Sequence, residues 1–192
     1  AELEAIALLC REHDLFVFSD DPYYSITFSD FNYSDFVHIA SLPDMRSRTV
    51  CGYTFSKSFA MTGWRLGAVV GPTWLVDQVT KINTNDEACT THFIQKAGVV
   101  ALTHPDAAKF TTDMVHELEI RRNLHAAELQ TVRGFKPIVP KATFYMMVNV
   151  TEAMNLMKSA DLEDFRRRIL AGTGVSFCTR AHFGTPLAGE KE

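Results

Sequence analysis

The densest grouping of reactive side chains lies at residues 56–67, which read Ser56, Lys57, Ser58, Phe59, Ala60, Met61, Thr62, Gly63, Trp64, Arg65, Leu66 and Gly67. A lysine leaving the end of a buried apolar run is poorly hydrated. A cation eight residues further on penalises its charge if the loop folds back, so the amine is predicted to be more nucleophilic than one on the surface. Such an amine condenses with a carbonyl to give a Schiff base. Arg65 supplies a permanently charged fork of donors for a phosphate, Thr54 and Ser56 add hydroxyls, and Gly63 lets the backbone come close. Together they describe a phosphate held next to a reactive amine. A lone Ser-Lys pair would mean little, because most lysines are solvated surface residues; the surrounding string changes that reading.

The string resembles the lysine signature of class I aminotransferases, pyridoxal-phosphate enzymes of fold type I in the aspartate aminotransferase superfamily, where S-K-x-[FY]-x-M-T-G-W-R-[LIV]-G recurs. By that resemblance Lys57 holds pyridoxal 5'-phosphate as an internal aldimine, and Arg65 is a ligand of its phosphate, with Thr54 or Ser56 assisting. The family also places an Asp at the end of a buried strand and a Tyr three residues later. Asp20 and Tyr23 stand there, at the family's interval from the lysine. The carboxylate keeps the pyridine nitrogen protonated so that the ring acts as an electron sink, and the phenol hydrogen-bonds the ring's 3-oxygen. Without Lys57, Asp20 and Asp21 would read as loop-forming acids before Pro22. Neighbouring strand residues point to opposite faces, so the two cannot act as the paired carboxylates of a glycosidase. The family commonly has Asp-Glu-x-Tyr, whereas this chain has Asp20, Asp21, Pro22, Tyr23 and Tyr24; Pro22 fixes a backbone angle, and Tyr24 is the alternative phenol.

The resemblance implies amino transfer between an amino acid and a 2-oxo acid. Lys57 would anchor the cofactor and then move a proton between the substrate's α-carbon and the cofactor's C4' carbon. It implies a homodimer with active sites at the subunit interface. A pyridoxal-phosphate-dependent carbon–sulfur lyase would share every cofactor residue and is the rival enzyme reading. A catalytically inactive fragment or binding module is the other rival. The family's carboxylate-clamping arginine, its ring-stacking aromatic, its ring-oxygen asparagine and its phosphate-binding loop find no match here, and Arg180 does not occupy the clamp position. The resemblance extends to residues 174–184 and is most specific before Gly71.

The elements that must position these groups follow from periodicity. Short apolar runs at 15–19, 49–55 and 66–71 read as strands, the first ending in Asp20, Asp21 and Pro22 and the second leading into Lys57. A helical pattern covers 73–102 with a break expected at the polar residues 83–86, and a long charged helix runs from Pro105 to about residue 133, closed by Gly134. Beyond it, 142–150 and 175–179 read as strands and 161–171 as a helix. The fold class is α/β: the later part of a large, mostly parallel-sheet domain at 1–105, a bridging helix at 106–133, and part of a small α/β domain at 134–192.

Composition excludes other classes. A net charge of -4 with signs interspersed gives no basic stripe for nucleic acid or anionic membrane, and Arg166, Arg167 and Arg168 lie beside Asp161, Glu163 and Asp164 as a solvated charged face. Cys10, Cys51, Cys89 and Cys178 form no C-x-x-C pair, which favours reduced thiols and a cytoplasmic setting. No metal is expected, since the His116-Glu117 start of a zinc motif meets Ile120 where the second ligand belongs. The sequons at Asn32 and Asn149 are read as chance matches, and no apolar run is long enough to cross a bilayer. The opening helix, with Leu3, Ile6, Ala7 and Cys10 on one face, has no capping residue ahead of it, and the chain is expected to be a piece of a longer protein.

Overall fold

The structure is a computed structural model that describes residues 2–31 and 37–184. Asn32 and the polar stretch at 189–192 lie outside the described residues. The chain divides into two compact units, one of residues 1–120 with 141–144 and the other of residues 121–140 with 145–192.

The first unit is built on a three-stranded sheet in the order β1-β2-β3, where β1 is Val17–Asp20, β2 Thr49–Thr54 and β3 Gly67–Val70. β1 and β2 run parallel, with Asp20 opposite Gly52, and β3 runs antiparallel to β2, with Gly67 opposite Thr54. The C-terminal ends of β1 and β2 and the start of β3 therefore share one end of the sheet. Gly67 is required there, because a Cβ would sit 2.9 Å from the Tyr53 carbonyl oxygen. Among the described residues β1 and β3 each have one ladder edge without a strand partner, and every β3 residue is exposed.

Helix α1 (Glu2–Glu12) packs Ala7 and Cys10 against Ile39 and Met45, with Val17 and Leu42 alongside. Met45 is fully buried, a burial that contributes on the order of 2 kcal/mol. The expected apolar face is only half used, since Leu3 and Ile6 stay 36% and 46% exposed. The single turn α2 (Phe55–Ser58) follows β2 directly, and α3 (Thr73–Asp86) and α4 (His92–Thr103) follow β3. The break between the last two falls after Asp86, later than the polar composition of 83–86 suggests. Thr80, Thr84 and Asn85 hydrogen-bond to carbonyls four residues back, at 2.9, 2.8 and 2.7 Å, and so stay inside the helix.

Helix α5 (Pro105–Thr131) is continuous, and the division between the units falls within it, after Ile120. Gly134 closes it at φ 84°, where a Cβ would meet the Ala153 backbone nitrogen at 2.6 Å.

In the second unit β4 (Lys136–Ile138) pairs antiparallel with β5 (Met147–Asn149), so the run at 142–150 forms a shorter strand than expected. Helix α6 (Thr151–Met157) was not legible in the sequence; α7 (Leu162–Thr173) was, with Asp161 capping it through the Asp164 N–H at 2.7 Å and Gly174 ending it at φ 73°. Phe165, fully buried, packs between Phe135 and Phe177. Residues 175–179 form no strand: they have no ladder partner among the described residues, and a β-prone run without a neighbour has no sheet to join. The expected charged face on α7 is real, with Arg166 paired to Glu163 and Arg168 to Asp164.

Candidate active site

Lys57 leaves the sheet at the C-terminal end of β2 on the one-turn helix α2. Four residues cannot hold a helical turn by themselves, and flanking groups do it. Thr54 caps the turn, its hydroxyl accepting the Ser56 N–H at 3.1 Å, and the Phe55 N–H reaches the Leu66 carbonyl at 3.0 Å. Ser58 is 1% exposed; its hydroxyl accepts from Ser25 at 2.6 Å and its carbonyl from Thr111 at 3.2 Å. The Lys57 side chain is half-buried, with Nζ 5.3 Å from the centre of the Phe144 ring, and among the described residues it has no acidic partner. The amine thus rests on an aromatic face and is not paired with a carboxylate.

Phe144 was not singled out in the sequence. An isolated bridge between Thr27 and Ala142 and the Thr143 N–H bond to the Ile26 carbonyl at 2.8 Å bring it across from far along the chain. Its ring also meets Tyr23 edge-on at 5.3 Å between centroids, so one aromatic ring carries both the lysine and the tyrosine of the expected site. Tyr24 packs on a different ring, Tyr53, at 5.5 Å. That contact separates the two candidate phenols.

The two adjacent acids are separated in the same way. Asp21 is taken up: its carboxylate accepts from the Ser19 hydroxyl at 2.8 Å and lies 2.7 Å from His38 Nε2. Asp20, at the end of β1, is exposed, and its carboxylate has no hydrogen-bond partner among the described residues. It stands at the same end of the sheet as Lys57.

Asp21, His38 and Cys51 also offer ligand atoms within 4.8 Å of one another. The imidazole argues for a clamp instead of a metal site. Its Nδ1 accepts the Ala40 N–H at 3.1 Å, so Nε2 carries the proton and donates it to Asp21. A cation at Nε2 would force a proton onto Nδ1, against that N–H. Burial first, and then the Asp21 charge, push the Cys51 thiol above its ordinary pKa, a hydrogen bond from Tyr53 partly offsetting them.

Arg65 reaches the same end of the sheet but is exposed, holds a left-handed backbone at φ 51°, and donates to the Thr62 carbonyl at 3.1 Å. Ser56 is buried, and Thr54 is engaged as a cap. Around Gly63 a Cβ would meet no protein atom within 4 Å.

The sequence profile described as aminotransferase class I and II matches residues 1–186. The chain belongs to that family. It is 38% identical over 153 residues to an aspartate aminotransferase of Pyrococcus abyssi, covering 79% of this chain and 38% of that protein. It is 30% identical over 192 residues to an aspartate aminotransferase of Pyrococcus horikoshii, covering 98% of this chain and 48% of that protein. The solved aromatic aminotransferase from Pyrococcus horikoshii OT3 superposes with a TM-score of 0.80 at 33% identity, over 91% of this chain and 44% of that one. The chain thus spans less than half the length of these relatives. Its fold is that of the fold type I pyridoxal-phosphate enzymes.

Class I and II aminotransferases depend on pyridoxal phosphate. The donor set here fits that group: an unpaired amine over an apolar ring, a free carboxylate at the neighbouring strand end, a phenol on the same ring as the amine, and an exposed guanidinium. Among the described residues no helix is long and apolar enough to cross a membrane.

Proposed function

We propose that the protein carrying this chain transfers an amino group between an amino acid and a 2-oxo acid, using pyridoxal 5'-phosphate held by Lys57. The observation that carries the proposal is the Lys57 amine without an acidic partner, lying on the ring of Phe144 together with Tyr23. The bound cofactor would supply a protonated pyridine ring that draws electrons from the substrate's α-carbon. Asp20 would hold the ring nitrogen's proton, Tyr23 would donate to the ring oxygen, and Arg65 would bind the phosphate, assisted by Ser56 or Thr54. Arg65 would have to turn from the Thr62 carbonyl to do so. Once its amine is free, Lys57 would take the proton from the substrate's α-carbon.

The relatives' names support amino transfer over carbon–sulfur cleavage: they are aspartate, aromatic-amino-acid and asparagine transaminases. We assign residues 1–105 to the large cofactor domain, 106–133 to a bridging helix and 134–192 to the small domain. A cytoplasmic homodimer is the expected setting. In the full-length protein Lys57→Ala should abolish the absorbance band of covalently held cofactor; a band that survives the substitution would refute the assignment.

A further inference from the structure

We propose that the Ser25–Ser58 hydroxyl pair is a positioning bridge that sets the tyrosine-bearing turn against the lysine-bearing turn; the inference rests on the cofactor reading above. Ser58 follows Lys57 directly, and Ser25 lies two residues after Tyr23 in a turn closed by the Ile26 N–H on the Tyr23 carbonyl at 2.9 Å. The two serines are 33 residues apart in sequence, yet their hydroxyls meet at 2.6 Å. Behind them Thr111 of α5 shares its hydroxyl hydrogen between the Ser58 carbonyl at 3.2 Å and the Ala107 carbonyl at 3.1 Å, which ties the lysine turn to a long helix.

A buried hydroxyl needs a partner wherever it lies, so pairing alone would be a packing detail. What gives this pair a consequence is what each turn carries. The Lys57 amine and the Tyr23 ring share the Phe144 ring, one at 5.3 Å from its centre and the other edge-on at 5.3 Å. Phe144 fixes where both tips rest, and the serine bridge fixes where both backbones start. α2 has only one turn, so its flanking bonds decide the direction in which Lys57 leaves the sheet. Proton transfer and nucleophilic attack are steep functions of such placement, and a misplacement near 1 Å can cost on the order of a hundredfold in rate.

The test uses the full-length enzyme with bound cofactor. Ser25→Ala and Ser58→Ala should each lower kcat by roughly tenfold while KM changes less than about twofold. Each should also shift the pH at which the bound cofactor's absorption changes, because the amine and the phenol would no longer sit in register. Ser25→Thr, which keeps the hydroxyl, should restore both. The double variant should be no worse than the poorer single one, since the two hydroxyls act as a unit. Should Ser58→Ala fail to fold, the half-buried Ser25→Ala decides alone. A lower Tm with kcat and the spectral midpoint unmoved would overturn the bridge and leave the cofactor reading standing. A wild-type protein with no bound-cofactor band would overturn that reading first.

Discussion

The two halves of the lysine motif are built differently. Residues 54–58 are anchored by a cap, by a buried serine bonded on two sides and by an aromatic ring under the amine. Residues 62–65 are exposed, and Arg65 holds a left-handed backbone whose cost for a residue with a Cβ is about 1–2 kcal/mol. A string that reads as one signature is thus half preformed seat and half exposed loop. The amine proposed to do the chemistry lies in the anchored part, and the group proposed to grip the phosphate lies in the part with little of the fold resting on it.

Arg65→Ala in the full-length protein tests the exposed half of the motif directly. Loss of a charge-assisted anchor should weaken pyridoxal-phosphate binding by about 1.5–3 kcal/mol, roughly ten- to a hundredfold, in a fluorescence titration. The unfolding midpoint without cofactor should stay within about 0.5 kcal/mol of wild type. A large fall in that midpoint would show the exposed half to be structural after all. Thr54→Ala should do the reverse. Losing the cap should destabilise the cofactor-free protein by about 1 kcal/mol, seen as a lower denaturation midpoint, with a smaller effect on cofactor affinity.

The sheet beneath the motif carries a thiol that reports on its packing. Burial and the Asp21 charge raise the Cys51 pKa, so less of its thiol is ionised at neutral pH than in an ordinary cysteine. Iodoacetamide should therefore label the exposed Cys89 and Cys178 before Cys51 in the folded chain, and mass mapping that found Cys51 first would contradict this packing.

Much of this arrangement was legible from residue types in order. Lys57, the three strands of the first unit, the long helix and its closing Gly134 follow from local pattern and from a dense motif. The rest depends on contacts between distant positions, which local pattern does not encode. Phe144 sat inside an apolar run readable as strand, and only its pairing back to Thr27 and Ile26 shows what it faces. Ser25 and Ser58 were unremarkable singly. That Asp21 is engaged, while the carboxylate of Asp20 has no partner among the described residues, depends on where His38 and Ser19 lie in the fold. The break after α3 was misplaced because Thr80, Thr84 and Asn85 satisfied their side chains along the helix instead of ending it.

β1 and β3 present rows of peptide groups that no strand meets among the described residues, and Val70 on the outer strand is 57% exposed. Such a row is a template as much as a hazard. Whichever segment reaches it first extends the sheet in register, so a correct strand arriving late competes with another copy of the same chain. The yield of active protein would then depend on the order in which segments emerge during synthesis as well as on the contacts in the finished fold.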